Sequence, residues 1–105
     1  MKLNIVIDSY SMDLDIPGNF LTQSIETFQR LDRDMDQGVQ FGREWLDHPD
    51  QQQRCQVAAN KLLTALETDN HQLALLSAGY IVHRMPGVHR VRIDNSGEML
   101  GTVFE

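Results

Sequence analysis

The chain has 105 residues, 41% hydrophobic and 7% aromatic, enough to bury one core without disulfide or metal staples, so a single domain over residues 1–105 is expected. Fifteen acidic residues against nine Lys and Arg give a formal net charge of −6, which repels phosphate backbones over most of the surface and argues against nucleic acid as a partner. The single cysteine, Cys55, excludes an intrachain disulfide. Asp8 cuts the apolar N-terminal stretch too early for a signal peptide, and no segment approaches the about 18 apolar residues of a membrane span; a cytoplasmic protein with no membrane partner is expected.

Residues 3–7 are rich in β-branched side chains and stop at Asp8-Ser9, the pattern of a short strand covered on both faces. Residues 9–19 mix Ser, Asp, Pro and Gly and read as a loop, with Pro17-Gly18 as a turn and Asn19 as N-cap of a helix starting near Phe20. From Leu21, apolar residues recur at Ile25, Phe28, Leu31, Met35, Val39 and Leu46 on one stripe. This predicts one long helix, with Glu26, Arg30 and Asp34 four apart on its exposed side. Gly38 and Gly42 weaken that helix by roughly 1 kcal/mol each relative to alanine and allow a kink or a close helix crossing. Asp32 falls inside the stripe, so its carboxylate requires a partner, and Arg43 lies at that edge of the helix.

Asp47-His48-Pro49-Asp50 ends this helix and starts the next, in which Cys55, Ala58, Ala59, Leu62 and Leu66 share a face. Thr68-Asp69-Asn70 turns the chain and caps a third helix over residues 71–85. That helix is apolar all round: Leu73, Leu76 and Tyr80 lie on one side, Leu75, Ala78 and Val82 on the other. It is predicted to be central, touching helices on one side and the sheet or a second subunit on the other. After Met85-Pro86-Gly87, residues 88–94 and 98–104 read as a β-hairpin around Asn95-Ser96-Gly97. In that register Ile93, Val91 and His89 face Met99, Gly101 and Val103 on the apolar side. Arg90 and Arg92 lie opposite Thr102 and Leu100 on the other side, and Asp94 lies opposite Glu98. The expected fold is a single α+β domain of order β-α-α-α-β-β. Three helices pack on a small, mostly antiparallel sheet in which the C-terminal hairpin pairs with the first strand.

Charge is uneven along this order. Residues 1–79 hold 12 acidic and 6 basic residues, whereas residues 80–105 hold 3 of each, and residues 83–92 carry three arginines and two histidines with no acid. His83 and Arg84 oppose the negative end of the third helix. Arg90 and Arg92 share one face of the hairpin, and with His89 and Arg84 they form the candidate surface for an acidic protein partner. Their simplest local alternative is pairing with Asp94 and Glu98.

Two carboxylate groups offer metal chemistry as an alternative. Asp32, Asp34 and Asp36, followed by Gly38 and Glu44, resemble a calcium loop, with the glycine and the glutamate each one residue late. Asp8, at a strand end, with Asp13 and Asp15, resembles over about ten residues the opening of PIN-type nucleases and HAD-type phosphatases, which implies magnesium-assisted phosphoryl chemistry. Both families need further parallel strands with carboxylates at their ends. Cys55 sits on an apolar helix stripe and reads as a core residue; no Cys or His spacing suits zinc. No catalytic residue, metal ligand or cofactor is assigned. The expectation is a non-enzymatic interaction or regulatory protein, homodimeric, engaging an acidic partner through the C-terminal hairpin. The alternatives are a metal-dependent enzyme or calcium binder on the carboxylates above, and a small-molecule binder between the third helix and the sheet.

Overall fold

A period-two alternation shapes the N-terminal segment. In the computed structural model, which describes residues 1–96 and 98–105, strand β1 (Lys2–Ile7) turns at Asp8-Ser9 and returns antiparallel as β2 (Tyr10–Asp15), with Lys2 opposite Asp15 and Ile7 opposite Tyr10. Asp8 adopts φ 54 at the turn, a left-handed conformation that aspartate tolerates better than most residues. The loop expected over residues 9–19 is therefore largely a strand. Leu14 and Ile16 are buried while Ser11, Asp13 and Asp15 are exposed, which is the alternation of a sheet with one covered face.

The long helix expected from Leu21 to Leu46 is instead two helices and a hairpin. Helix α1 (Gly18–Gln23) follows Pro17 rather than Asn19, and α2 (Ile25–Asp36) follows it directly. Gly38, at φ 105, takes the chain out of helical geometry. Strands β3 (Val39–Phe41) and β4 (Glu44–Leu46) then form a hairpin turned at Gly42, φ 61. Val39 and Leu46, which fit the helical stripe by count, pair directly across this hairpin. Two glycines in left-handed conformations are incompatible with a continuing right-handed helix, so they end it rather than kink it.

Helix α3 (Gln51–Glu67) starts where expected, closed by a reciprocal capping box: the Gln53 amide donates to Asp50 Oδ1 at 2.8 Å and the Asp50 amide to Gln53 Oε1 at 2.9 Å. Helix α4 (His71–Arg84) is capped by Asn70, whose Oδ1 accepts from the Leu73 amide at 3.1 Å. The two pack along their lengths. Six consecutive residues of α4, from Ser77 to Val82, are buried, while Leu73, Leu75 and Leu76 nearer its start are half-buried. At Gly79 a Cβ would lie 3.2 to 3.3 Å from Phe28, Leu21 and Phe20; the close crossing expected at Gly38 or Gly42 occurs here.

The C-terminal strands complete a sheet of order β2-β1-β5-β6. Strand β5 (Arg90–Ile93) runs parallel to β1 with Val91 opposite Ile5, and β6 (Val103–Phe104) runs antiparallel to β5. The α+β class and the pairing of the C-terminal strands with the first strand hold; four helices replace three. The hairpin register differs. Val91 faces Phe104 rather than Gly101, and Arg92 faces Val103 rather than Leu100. Part of the segment expected to be strand is a 3₁₀ turn, Met99–Gly101, which lengthens the connection; Gly97, the glycine expected in that loop, lies outside the described residues. Buried Thr102 anchors the connection: its hydroxyl accepts from the Asp94 amide at 3.2 Å and its carbonyl from buried Gln56 Nε2 at 3.2 Å. Leu3, Ile5, Ile16 and Val91 are fully buried in one core with residues of α2, α3 and α4. Among the described residues no helix is long and apolar enough to cross a membrane.

Candidate functional site

The helices cover one face of the sheet, and strand parity sends the charged residues to the other. Lys2, Asn4 and Val6 of β1 point outward, paired in register with Asp15, Asp13 and Ser11 of β2. On the far side of β1, Arg90 aligns with Asn4 and Arg92 with Val6. Beyond them lie Val103, 49% exposed, and Glu105, which continues the ladder through reciprocal backbone hydrogen bonds with Arg90.

Side-chain hydrogen bonds link β2, β1 and β5, and ion pairs from β5 reach Glu105 just past β6. Asn4 Nδ2 donates to Asp13 Oδ1 at 2.9 Å and to Ser11 Oγ at 3.1 Å, while Asn4 Oδ1 accepts from Arg90 Nε at 2.9 Å. Glu105 Oε1 accepts from Arg92 Nε at 2.9 Å and lies 3.8 Å from Arg90 Nη1. The Met1 amine lies 3.8 Å from Asp15. The face thus carries the cationic side chains of Lys2, Arg90 and Arg92 and the anionic ones of Asp13, Asp15 and Glu105. The acids of β2 lie on one side of β1 and the arginines of β5 on the other.

Of the residues singled out from the sequence, Arg90 and Arg92 share this face as expected. Their partners are Asn4 and Glu105, not Asp94 and Glu98. Asp94 turns the other way: its Oδ1 accepts from the Ser96 hydroxyl and amide at 2.5 and 2.7 Å, and these bonds hold its carboxyl below the ordinary carboxylate range. His89 is exposed just before β5 and does not lie opposite Val103; its amide donates to the Glu105 carbonyl at 2.8 Å. The period-two alternation of β1 carries a signal for Asn4, beside outward Lys2 and Val6; no local pattern marks Glu105.

Arg84 belongs to a second cluster, built around Asp32. Asp32 Oδ2 accepts from Arg84 Nη2 at 2.5 Å, and Oδ1 accepts from the Tyr80 hydroxyl at 2.5 Å and from Arg54 Nη1 at 3.3 Å. Arg54 also donates to Asp36, to the Pro49 carbonyl at 2.9 Å and to the Asp32 carbonyl at 3.1 Å. Arg84 stacks over the Tyr80 ring, 5.5 Å from its centroid. The partner anticipated for Asp32, Arg43, is exposed on the β3–β4 hairpin; once the helix ends at Asp36, residue 43 no longer lies on the face of residue 32. Burial raises the Asp32 carboxyl, but hydrogen bonds from Tyr80, Arg84 and Arg54, with the Arg84 charge, outweigh it and hold the group below its ordinary value. Burial, followed by the bond to Asp32, raises the Tyr80 phenol. The cluster ties α2 to α3 and α4, and its two arginines are matched by two aspartates.

The carboxylates considered for metals are dispersed. Asp32 and Asp36 serve the arginines, Asp34 is exposed on α2, and Asp8 accepts from Asn95 Nδ2 at 3.3 Å at the opposite end of β1–β2 from Asp15. Among the described residues no three His, Cys, Asp or Glu side chains come together as a metal-ligand set. A cleft of about 590 Å³ opens beside the β1–β2 turn between Ile7, Tyr10, Met12 and Leu66, with Asp8 and Glu67 on its polar side. Comparison with protein-family models, with curated proteins and with solved structures gave no match.

Proposed function

We propose that the chain is a small non-enzymatic interaction protein that engages another protein surface through the outer face of its sheet. One observation carries the reading: helices cover only the inner face, while the outer face holds charges of both signs, fixed by hydrogen bonds on rigid strands. Such preorganised charge gives specificity and directs encounter more than it adds raw affinity. Side chains already held by neighbours also lose little freedom when a partner docks. Because Glu105 answers Arg90 and Arg92 within the chain, the partner this face fits presents both signs rather than a purely acidic patch. A single thiol, buried at Cys55, suits a reducing compartment, and the proposal places the protein in the cytoplasm.

The test is affinity capture from a lysate of the source cells with wild type and with Arg90→Glu/Arg92→Glu. Arg92 is exposed and Arg90 half-buried, so circular dichroism first checks that the variant is folded. The wild type is expected to recover proteins that the variant does not; identical recovery by the two overturns the proposal.

A further inference from the structure

We infer that the surface this face takes is a second copy of itself, stacked face to face about a two-fold axis that runs along β1. The inference rests on the reading above and names its partner. Neighbouring strands lie about 4.8 Å apart, so the β2 acids and the β5 arginines form columns about 10 Å apart, one on each side of β1. A two-fold rotation about β1 lays β5 of each copy over β2 of the other. Arg90, Asn4 and Asp13 share one row of the sheet, so the same rotation sets Arg90 of each copy above Asp13 of the other. On the axis Lys2, Asn4 and Val6 each meet their own counterparts, which sets two like charges together at the Lys2 end of the strand. The Arg90 and Asp13 columns are therefore complementary to each other across the axis, as a closed, isologous contact requires.

The sheet edges do not offer the same opportunity. Edge strand β2 carries Asp13 and Asp15, and the opposite edge, β6, spans only two residues; charge and shortness both discourage edge-to-edge pairing. The central turns of α4, from Ser77 to Val82, are already buried inside the chain. About an axis on β1 only β2, β1 and β5 overlap; three strands about 4.8 Å apart and about 13 to 20 Å long present roughly 200 to 300 Å² per copy, a small contact compared with stable interfaces. The dimer is accordingly weak, and because charges hold it in register, raising the salt concentration loosens it.

Analytical ultracentrifugation of the purified full chain, from micromolar to millimolar concentration, tests the inference. The average mass is expected to rise from the 12.0 kDa of one copy towards that of two, and to fall back in high salt. Arg90→Asp and Asp13→Arg should each lower the association constant by about tenfold or more. An equimolar mixture of the two variants should restore it, since every reversed charge then faces its opposite. A monomer at millimolar concentration overturns the inference, as does a dimer indifferent to both reversals. If the chain is monomeric while lysate capture still depends on Arg90 and Arg92, the second-copy inference falls and the interaction reading stands. If capture is equally indifferent, both fall.

Discussion

Asp32 is the residue on which the helical layer depends. It stands on α2 and receives hydrogen bonds from Arg54 on α3 and from Tyr80 and Arg84 on α4. Its side chain is 25% exposed, so it is neither freely solvated nor fully desolvated. Removing it leaves Arg84 and the Tyr80 phenol partly buried without their carboxylate acceptor, while Arg54 keeps Asp36 and two backbone carbonyls. Asp32→Ala is expected to cost about 2 kcal/mol, between an ordinary lost hydrogen bond and a broken buried ion pair. In a domain of this size that is a fall of about 10 °C in Tm, readable by calorimetry. A loss within a few tenths of a kcal/mol would mean that the arginines find water or other acceptors at no cost. The same carboxylate sets a pH dependence. Its native carboxyl is held below the ordinary carboxylate range, so its stabilisation is fully present above about pH 4 and is lost as the pH falls through the lower native value. In urea titrations the gap between wild type and Asp32→Asn should therefore be constant from pH 7 to about pH 4 and close below it; a gap that persists at lower pH would remove Asp32 from the acid response.

At the scale of elements, the β3–β4 hairpin hangs on two glycines in different surroundings. A Cβ on Gly38 would lie 2.5 Å from the Trp45 ring and sit on a residue at φ 105, whereas one on Gly42, at φ 61, would meet nothing within 4 Å. Gly42→Ala should therefore cost about 1 kcal/mol of backbone strain, and Gly38→Ala about 2 kcal/mol or more because the indole must also move. Trp45 is the only tryptophan, and its ring nitrogen donates to Asp47 at 3.1 Å. Its fluorescence should shift in Gly38→Ala alone; equal losses with unchanged emission in both variants would contradict the packing. These glycines also explain what was legible in the sequence. Helices α3 and α4 were, because caps, periodicity and breakers agree at Asp50, Asn70 and Pro86. Residues 37–46 were not, since Val39 and Leu46 satisfy a helical count and a cross-strand pairing alike, and only the backbone angle at Gly38 separates the two. Strand β2 was hidden by its aspartates, which look like loop residues until Met12, Leu14 and Ile16 are read as the inward half of an alternation. For the candidate site, the shared face of Arg90 and Arg92 follows from parity and was legible. Glu105 as their partner was not, because it depends on a register set by a 3₁₀ turn. The Asp32 partners lie 22, 48 and 52 residues away in sequence, beyond the reach of any local pattern.

Over the whole molecule, Cys55 measures whether these parts unfold together. It is fully buried on the core face of α3, and burial, helped by the Asp32 charge and opposed by Arg84, pushes its thiol up to about 12. At neutral pH the native thiol is both protonated and inaccessible, so it reacts with a disulfide reagent only after the helices separate from each other and from the sheet. If that separation is the global unfolding event, the opening free energy from the labelling rate should equal that from urea unfolding. Local fraying of α3 would give a smaller value. Equality to within about 1 kcal/mol is the expected outcome, with no labelling on the timescale of a free thiol. Asp32→Ala sharpens the comparison. Reaction goes through the unfolded chain, where neither Asp32 nor Arg84 adjoins the thiol, so removing the aspartate should change the rate only through stability. A loss of about 2 kcal/mol corresponds to labelling about thirtyfold faster. An unchanged rate in that variant would show that Cys55 is reached by a local opening of α3, and that the sheet and the helical layer do not share one cooperative transition.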